Sequence, residues 1–260
     1  MDNLDKFYTP IQVAKICIDL IPELNSYDMI IEPSAGNGSF SKQINNCIAY
    51  DISPEDNNII QKNFFEVEKQ NAKHLLVIGN PPFGKRSSLA KDFIKHSRKI
   101  GAETIAFILP DTFSKLSNQS KTLFPENWRL IVEYKIKDNN FILPDGQKYH
   151  VPCSFYVWTC RKGDTNLRQK KLPPHPDFQF LTRGDINADF SINGNSGKVK
   201  EINEITNPKA EHYIKAVQKD KETLKQIFQS LDFNFLSSVN GGNAWIGQQD
   251  ILKAYWNYIS

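Results

Sequence analysis

Asn80-Pro81-Pro82-Phe83, directly after the apolar run His74-Leu75-Leu76-Val77-Ile78-Gly79, carries side chains suited to activating an exocyclic amine. An amine conjugated with an aromatic ring is a poor nucleophile, because its lone pair is delocalised. Two acceptors set close together, the Asn80 side-chain carbonyl and the Pro81 main-chain carbonyl, can take both N–H groups and draw the nitrogen towards tetrahedral geometry. Phe83 adds a face on which a planar ring stacks. The same four residues can also be only a turn, since each proline fixes φ and removes a donor.

Upstream, Met29-Ile30-Ile31-Glu32-Pro33-Ser34-Ala35-Gly36-Asn37-Gly38-Ser39-Phe40 reads as a short buried strand, a glycine-containing turn and a helix. Gly36 and Gly38 let the backbone pass close to a ligand. The third glycine of the dinucleotide fingerprint is missing. The next apolar run, Cys47-Ile48-Ala49-Tyr50-Asp51, ends in a carboxylate 19 positions after Glu32. That is where a nucleoside-binding α/β unit places its ribose-binding acid, so Asp51 is expected on a ribose. Asp51 could instead cap a helix beginning near Ser53-Pro54.

A third element comes first in the chain: Lys6-Phe7-Tyr8-Thr9-Pro10, followed by apolar residues at mixed helical spacing. Thr9 as N-cap and Pro10 at the first helical position is a sufficient structural reason for that pair. Taken together, the three motifs resemble the adenine-N6 (amino) methyltransferases that use S-adenosylmethionine, including modification subunits of restriction systems, and their order here is that family's gamma order. The resemblance implies a Rossmann-like class I α/β fold: a mainly parallel sheet with an antiparallel final strand, helices on both faces, and a small C-terminal extension. It implies S-adenosylmethionine held by Tyr8, Thr9, Pro10, Glu32, Ser34, Gly36, Gly38, Asp51, Ile52, Asn63, Phe64 and Asn80, with Glu32 towards the amino acid end. Asn63-Phe64 stands where many relatives carry Asp-Phe, so Asn63 can still accept and donate but brings no charge. Asn139-Asn140-Phe141 resembles a late motif whose Phe packs on the extruded base opposite Phe83; Phe141 could equally plug a surface loop.

Short apolar runs alternating with amphipathic segments predict a parallel sheet covered by helices. Strands are expected at 29–32, 47–51, 74–79, 104–109, 128–136 and 151–161, and helices at 10–22, 39–45, 54–62 and 87–100. The 137–148 link is too short for a helical crossover, so the last two strands should pair antiparallel. Residues 1–165 are expected to form the catalytic domain and 166–260 a C-terminal extension, with room for a small target-recognition region.

With 260 residues, 40% hydrophobic and 12% aromatic, the chain can bury a full core and is not a disordered protein. The N-terminus lacks the regions of a signal peptide and no apolar run approaches the roughly 18 residues of a membrane span, so a cytoplasmic location is expected. Four cysteines without a C-x-x-C pair and five scattered histidines suggest buried thiols and no metal. Residues 1–160 carry 18 basic and 18 acidic side chains, whereas 161–200 carry eight basic against four acidic. That local surplus, with Lys85 and Arg86 beside the pocket, suggests nucleic-acid contacts, for which Arg168, Lys170 and Lys171 are candidates; a solvated face has the same composition. The loops Gly194-Asn195-Ser196-Gly197 and Asn240-Gly241-Gly242-Asn243 could enter a groove or merely turn the chain.

The sequence thus points to methyl transfer onto adenine N6 in DNA, catalysed by Asn80, Pro81, Pro82 and Phe83, with Phe83, Phe141 and the basic residues holding the substrate. RNA adenosine and protein glutamine are rival acceptors for the same motif. A rival of another kind is a metal-dependent nuclease, because Pro110-Asp111 and Glu133-Tyr134-Lys135 match its loose pattern. A non-catalytic nucleic-acid-binding fold is a third. The resemblance to modification subunits leaves room for a restriction partner.

Overall fold

Leu75–Gly79 has no polar side chain and is buried along its whole length, which only a strand covered on both faces allows. The computed structural model, which describes residues 7–137, 141–143, 146–233 and 245–259, bears this out. The chain divides into two compact units, Met1–Gln169 and Lys170–Ser260. Unit one contains β1 (Met29–Glu32), β2 (Cys47–Asp51), β3 (Ile60–Gln61), β4 (Leu75–Gly79), β5 (Thr104–Pro110), β6 (Arg129–Lys135), the short β7 (Phe141–Ile142) and β8 (Lys148–Tyr149), and β9 (Cys153–Thr159). Among the described residues its main sheet runs β3-β2-β1-β4-β5-β9-β6. The pairs from β3 to β5 are parallel, and β9 lies antiparallel between β5 and β6. This is the mainly parallel, Rossmann-like arrangement that the resemblance implies.

Side chains alternate across the sheet as the period of two requires. From β5, Ile105, Phe107 and Leu109 join a cluster with α2 (Ser88–Lys99), through Ala90, Phe93 and Ile94. Ala106 and Ile108 point the other way, into a cluster with Ala14, Cys17 and Ile18 of α1 (Ile11–Asp19). Each fully buried Ile, Leu or Phe in these layers contributes about 1.5–3 kcal/mol.

Two expected helices are corrected. Residues 39–45 form only a 3-10 turn, Ser41–Gln43, because Ile44 is already extended and Asn46 sits at φ +59° before β2. Residues 54–62 form no helix: the Asp56 carboxylate accepts from the Asn58 N–H, a local bond that competes with helix, and Ile60–Gln61 instead adds β3 to the sheet. Thr9 is not an N-cap, since the cap position of α1 is Pro10 and no side chain caps it.

Unit two, from Lys170, contains β10 (Phe178–Leu181), β11 (Phe190–Asn193), β12 (Val199–Lys200), β13 (Glu211–Ala216), α3 (Lys221–Ser230) and α4 (Gln248–Ile259). Its antiparallel sheet runs β10-β13-β11-β12. Phe178, Phe190, Ile214, Phe228 and Tyr255 form its core. The buried Glu211 carboxylate is satisfied by Lys200 (3.1 Å), Asn193 (2.7 Å) and Ser191 (3.1 Å). Of the two glycine loops, Asn240-Gly241-Gly242-Asn243 lies outside the described residues.

Much of the basic surplus of 161–200 is consumed internally. Arg161 donates to Ser26 Oγ at 2.7 Å and lies 5.0 Å over the Tyr27 ring. Arg168, expected on phosphate, is instead a structural clamp. Its guanidinium donates to the main-chain carbonyls of Gln119, Phe124 and Pro125 at 2.6–3.1 Å and lies 5.6 Å over the Trp158 ring. Lys170 and Lys171 are exposed.

Removing that fork orphans several carbonyls in the 119–128 segment. Arg168→Ala should therefore lower the stability of unit one by about 2–3 kcal/mol, and Arg168→Lys should recover little of it, because an ammonium cannot reproduce the planar fork. Denaturant unfolding of the three proteins checks this; unchanged midpoints would return Arg168 to the free surface.

Candidate functional site

Parallel pairing of β1 with β4, in the register Met29↔Leu75 and Ile31↔Val77, brings the turn after Glu32 and the turn after Gly79 to the same end of the sheet. Gly79 sits at φ +153°, where a side chain is strained, and its Cα faces Glu32 and Pro33, which an added Cβ would touch at 3.5–3.6 Å. The two turns are joined where Ser34 Oγ donates to the Asn80 carbonyl at 3.4 Å. A cleft of about 320 Å³ opens above them.

One end of the cleft is built by the glycine turn. Gly36, at φ +55°, donates its N–H to Asp51 Oδ2 at 2.8 Å, and the Ser53 N–H binds Asp51 Oδ1 at 2.8 Å. A carboxylate has about four lone-pair positions, so Asp51 keeps acceptor capacity towards the cleft, which it lines together with Ile52. The Tyr8 ring lies 3.6 Å from where a Cβ on Gly36 would stand, and its hydroxyl donates to Glu55. Burial and Glu55 push the Tyr8 phenol up to about 12. Thr9 also lines the cleft, and its carbonyl accepts from Ser39 Oγ at 2.6 Å. Pro10 is not among the lining residues but caps α1 immediately behind it.

Glu32 is almost wholly buried, lines the cleft and accepts the Ser41 N–H at 2.8 Å. Burial pushes its carboxyl up to about 7, although the Ser41 hydrogen bonds pull the other way. Further along, Phe64 stacks on Phe93 at 5.3 Å and Phe65 meets Phe93 edge-on at 5.0 Å, making an apolar wall. Asn63 is present in that wall, but its Oδ1 already accepts the Phe65 N–H at 3.1 Å.

Asn80, Pro81, Pro82 and Phe83 all line the cleft. Asn80 Oδ1 is a buried acceptor with no hydrogen-bond partner, while Nδ2 makes only a 3.5 Å contact to the Phe7 carbonyl. A buried carbonyl left unpaired costs about 1–3 kcal/mol. Such an atom beside a cleft is a docking point for an N–H donor. After Phe83, Gly84 at φ +66° turns the chain and leaves Lys85 and Arg86 exposed, outside the lining.

Besides Pro10, two expectations fail here. Gly38 does not line the cleft; it turns the chain at φ +83°, and an added Cβ would meet Ser41 and Lys42. Phe141 is no second wall for a base. It is 1% exposed, packs 6.1 Å from Phe7 in the α1-side core, and Ile142 beside it pairs with Tyr8. Burying its ring in the core leaves no face for a ligand, so it is the plug rather than the sandwich. Asn139 and Asn140 of that motif lie outside the described residues. Conversely, Glu55, Phe65 and Phe93 belong to the cleft although no motif marked them.

The nuclease pattern does come together in space, with its groups occupied. Asp111 is buried, accepts from Ser154 Oγ at 2.7 Å and pairs with Lys135 at 3.6 Å. Burial, then Asp111, raises the Glu133 carboxyl. Among the described residues no group of three or more His, Cys, Asp or Glu could hold a metal ion, and no helix is long and apolar enough to cross a membrane.

Residues 11–170 match the family model described as the EDM2 methyltransferase-like domain. Curated proteins give no match. Among solved structures, a Pyrococcus horikoshii protein assigned as an RNA methyltransferase aligns with TM-score 0.47 and 15% identity over 60% of this chain and 87% of its own. A Vibrio vulnificus protein assigned as the modification subunit of a type I restriction enzyme aligns with TM-score 0.43 and 15% identity, over 61% and 45%. A Listeria monocytogenes protein assigned as a class I S-adenosylmethionine-dependent methyltransferase gives 0.41 and 14%, over 63% of each chain.

The buried Glu32 makes the stability of the fold pH-sensitive. Because its folded value is raised, its neutral form is favoured on folding, and stability falls as pH climbs from the unfolded value near 4.5 through about 7. Glu32→Gln should be more stable than the parent above pH 7, by on the order of 3 kcal/mol, and the advantage should vanish below about pH 4.5. Unfolding curves at pH 4.5 and 8 test this; a constant difference would remove the ionisation from the account.

Proposed function

The chain belongs to the EDM2 methyltransferase-like domain family and is a methyltransferase whose cofactor is S-adenosylmethionine, and from that premise we propose that it methylates the N6 amine of adenine in DNA. The observation that carries the reading is the unpaired Asn80 Oδ1 beside the cleft, within an Asn-Pro-Pro-Phe sequence. The cofactor brings a methyl group on a sulfonium. The residues of the cleft suit it: Asp51 for ribose hydroxyls, Glu32 for a cationic amino end, and Phe64, Phe65 and Phe93 for a planar base.

In this reading the target adenine is turned out of the duplex and stacks on Phe83. Its two N–H groups donate to Asn80 Oδ1 and the Pro81 carbonyl. Held in this way, the amine would direct its lone pair at the methyl group that the bound cofactor would supply, and the surplus proton would pass to water. Alignment and charge stabilisation supply the catalysis, and no strong base is required. Exposed Lys85 and Arg86, just past Gly84, are candidates for the phosphates of that nucleotide, and exposed Lys170 and Lys171 remain candidates for further phosphates.

Asn80→Ala should bind cofactor as the parent does while transfer falls by about 10²–10³. Single-turnover transfer of labelled methyl to matched DNA, RNA and protein substrates tests both acceptor and mechanism: label on RNA or glutamine would replace the substrate, and near-parental turnover in the variant would sink the chemistry. Replacing Lys85 and Arg86 by Ala should reduce the slope of log affinity against log salt by up to about 1.8 on duplex DNA. An unchanged slope would take both residues off the phosphates.

A further inference from the structure

A side-chain amide has two ends of nearly equal size, so the groups around it decide which end faces where. In Asn80, Nδ2 lies 3.5 Å from the Phe7 carbonyl, and Oδ1 is the end without a partner. A carbonyl attracts an N–H and repels another oxygen, so this neighbour turns the amide to leave its acceptor spare. The Asn80 backbone is held separately, by Ser34 Oγ on its main-chain carbonyl at 3.4 Å. Phe7 lines the cleft, yet its place is set from outside it. Its ring stacks on Tyr149 at 5.3 Å, with 22° between the planes, and tilts against Phe141 at 6.1 Å. The next residue is bound to the same hairpin: the Tyr8 N–H donates to the Ile142 carbonyl and the Ile142 N–H to the Tyr8 carbonyl, both at 2.9 Å. Phe141–Ile142 in turn pairs antiparallel with Lys148–Tyr149. Phe7 and Tyr8 thus form a strap docked on β7 and β8. Tyr149, which is not among the lining residues, is a link of that docking that can be altered without touching the cleft.

We propose that Phe7 and Tyr149 are positioning residues for methyl transfer: the Tyr149 ring holds the strap, the strap's Phe7 carbonyl holds Nδ2, and the Asn80 amide thereby offers its oxygen to the acceptor amine. The proposal rests on the methyltransferase reading of the cleft. An amide turned the other way would set N–H against the N–H of the amine, a contact with no attraction in it. Only the fraction of molecules with the amide correctly turned can hold the amine, so the rate at saturation follows that fraction. A single hydrogen-bond preference of this kind is worth about 3- to 10-fold. The effect belongs to an amide alone. A carboxylate at the same position has an oxygen at both ends and no wrong way round.

The test is a double-mutant cycle read in two ways. Single-turnover methyl transfer is measured at saturating S-adenosylmethionine and saturating acceptor, with Tyr149→Ala and Tyr149→Phe each made in the parent and in Asn80→Asp. Amide-proton NMR follows the Asn80 NH2 pair, identified by its loss in Asn80→Asp. In the parent, Tyr149→Ala should slow transfer by about 3- to 10-fold, and Tyr149→Phe, which keeps the stacked ring, should stay within about twofold. In the Asn80→Asp background, Tyr149→Ala should cause no loss relative to Asn80→Asp itself. The Asn80 NH2 signals should move and exchange faster with water in Tyr149→Ala, and stay in place in Tyr149→Phe. Equal losses in both backgrounds would make Tyr149 an ordinary structural residue, and no loss in the parent would take the strap out of the chemistry; either overturns the proposal. Unmoved NH2 signals in Tyr149→Ala overturn it as well, whatever the rates. A parent that transfers methyl to no acceptor would overturn the methyltransferase reading instead, and the NH2 signals alone would then decide whether the strap orients the amide.

Discussion

Parallel pairing between β1 and β4 is the constraint on which the site depends. Only when these strands run side by side in the same direction do the turns after Glu32 and after Gly79 emerge together. A slip of one residue would turn every side chain to the opposite face, exchanging Leu76 and Ile78 with Leu75 and Val77 between two differently shaped cores. Burial on both faces fixes the register, and the register fixes the distance between the buried carboxylate and the buried amide. The chemistry is therefore held by core packing several residues away from it.

Electrostatics then divides the cleft. Carboxylates and the Tyr8 hydroxyl make a polar, acidic part, and Phe64, Phe65 and Phe93 make an apolar wall, while the Asn80 side-chain carbonyl is left without a partner. Glu32 and Asp51 differ in how they are supported. Asp51 takes two backbone N–H groups near solvent, whereas Glu32 is buried with Ser41 and is pushed up by desolvation. The ionisation of Glu32 is therefore tied to its burial.

The sheet was largely legible because its strands are uninterrupted apolar runs bounded by glycine, proline and acids, and every expected strand exists within about two residues. The glycine turn, Asp51 and the Asn80 segment were legible for the same reason: each follows a strand end. What stayed hidden depends on partners distant in sequence. Arg168 looks like any basic surface residue until the 119–128 carbonyls curl around it. Phe141 carries a motif's spacing, but its ring is drawn into the core by Phe7, 134 positions earlier. Glu55 lay in a segment whose composition suggested helix, and only the loop that forms there brings it to Tyr8.

The position of β9 has a consequence for the order in which the molecule can be made. β5 and β6 both leave the ribosome before β9, yet neither touches the other in the finished sheet, because β9 inserts between them along seven residues of β5. Until residue 159 is available, the side of Thr104–Pro110 away from β4 is an open, largely apolar edge, the kind of strand that adds to another chain. A nascent chain stalled before Cys153 is therefore a sticky intermediate, and the cofactor cleft gains its final support only when the strand that completes the sheet slots into a gap already waiting for it.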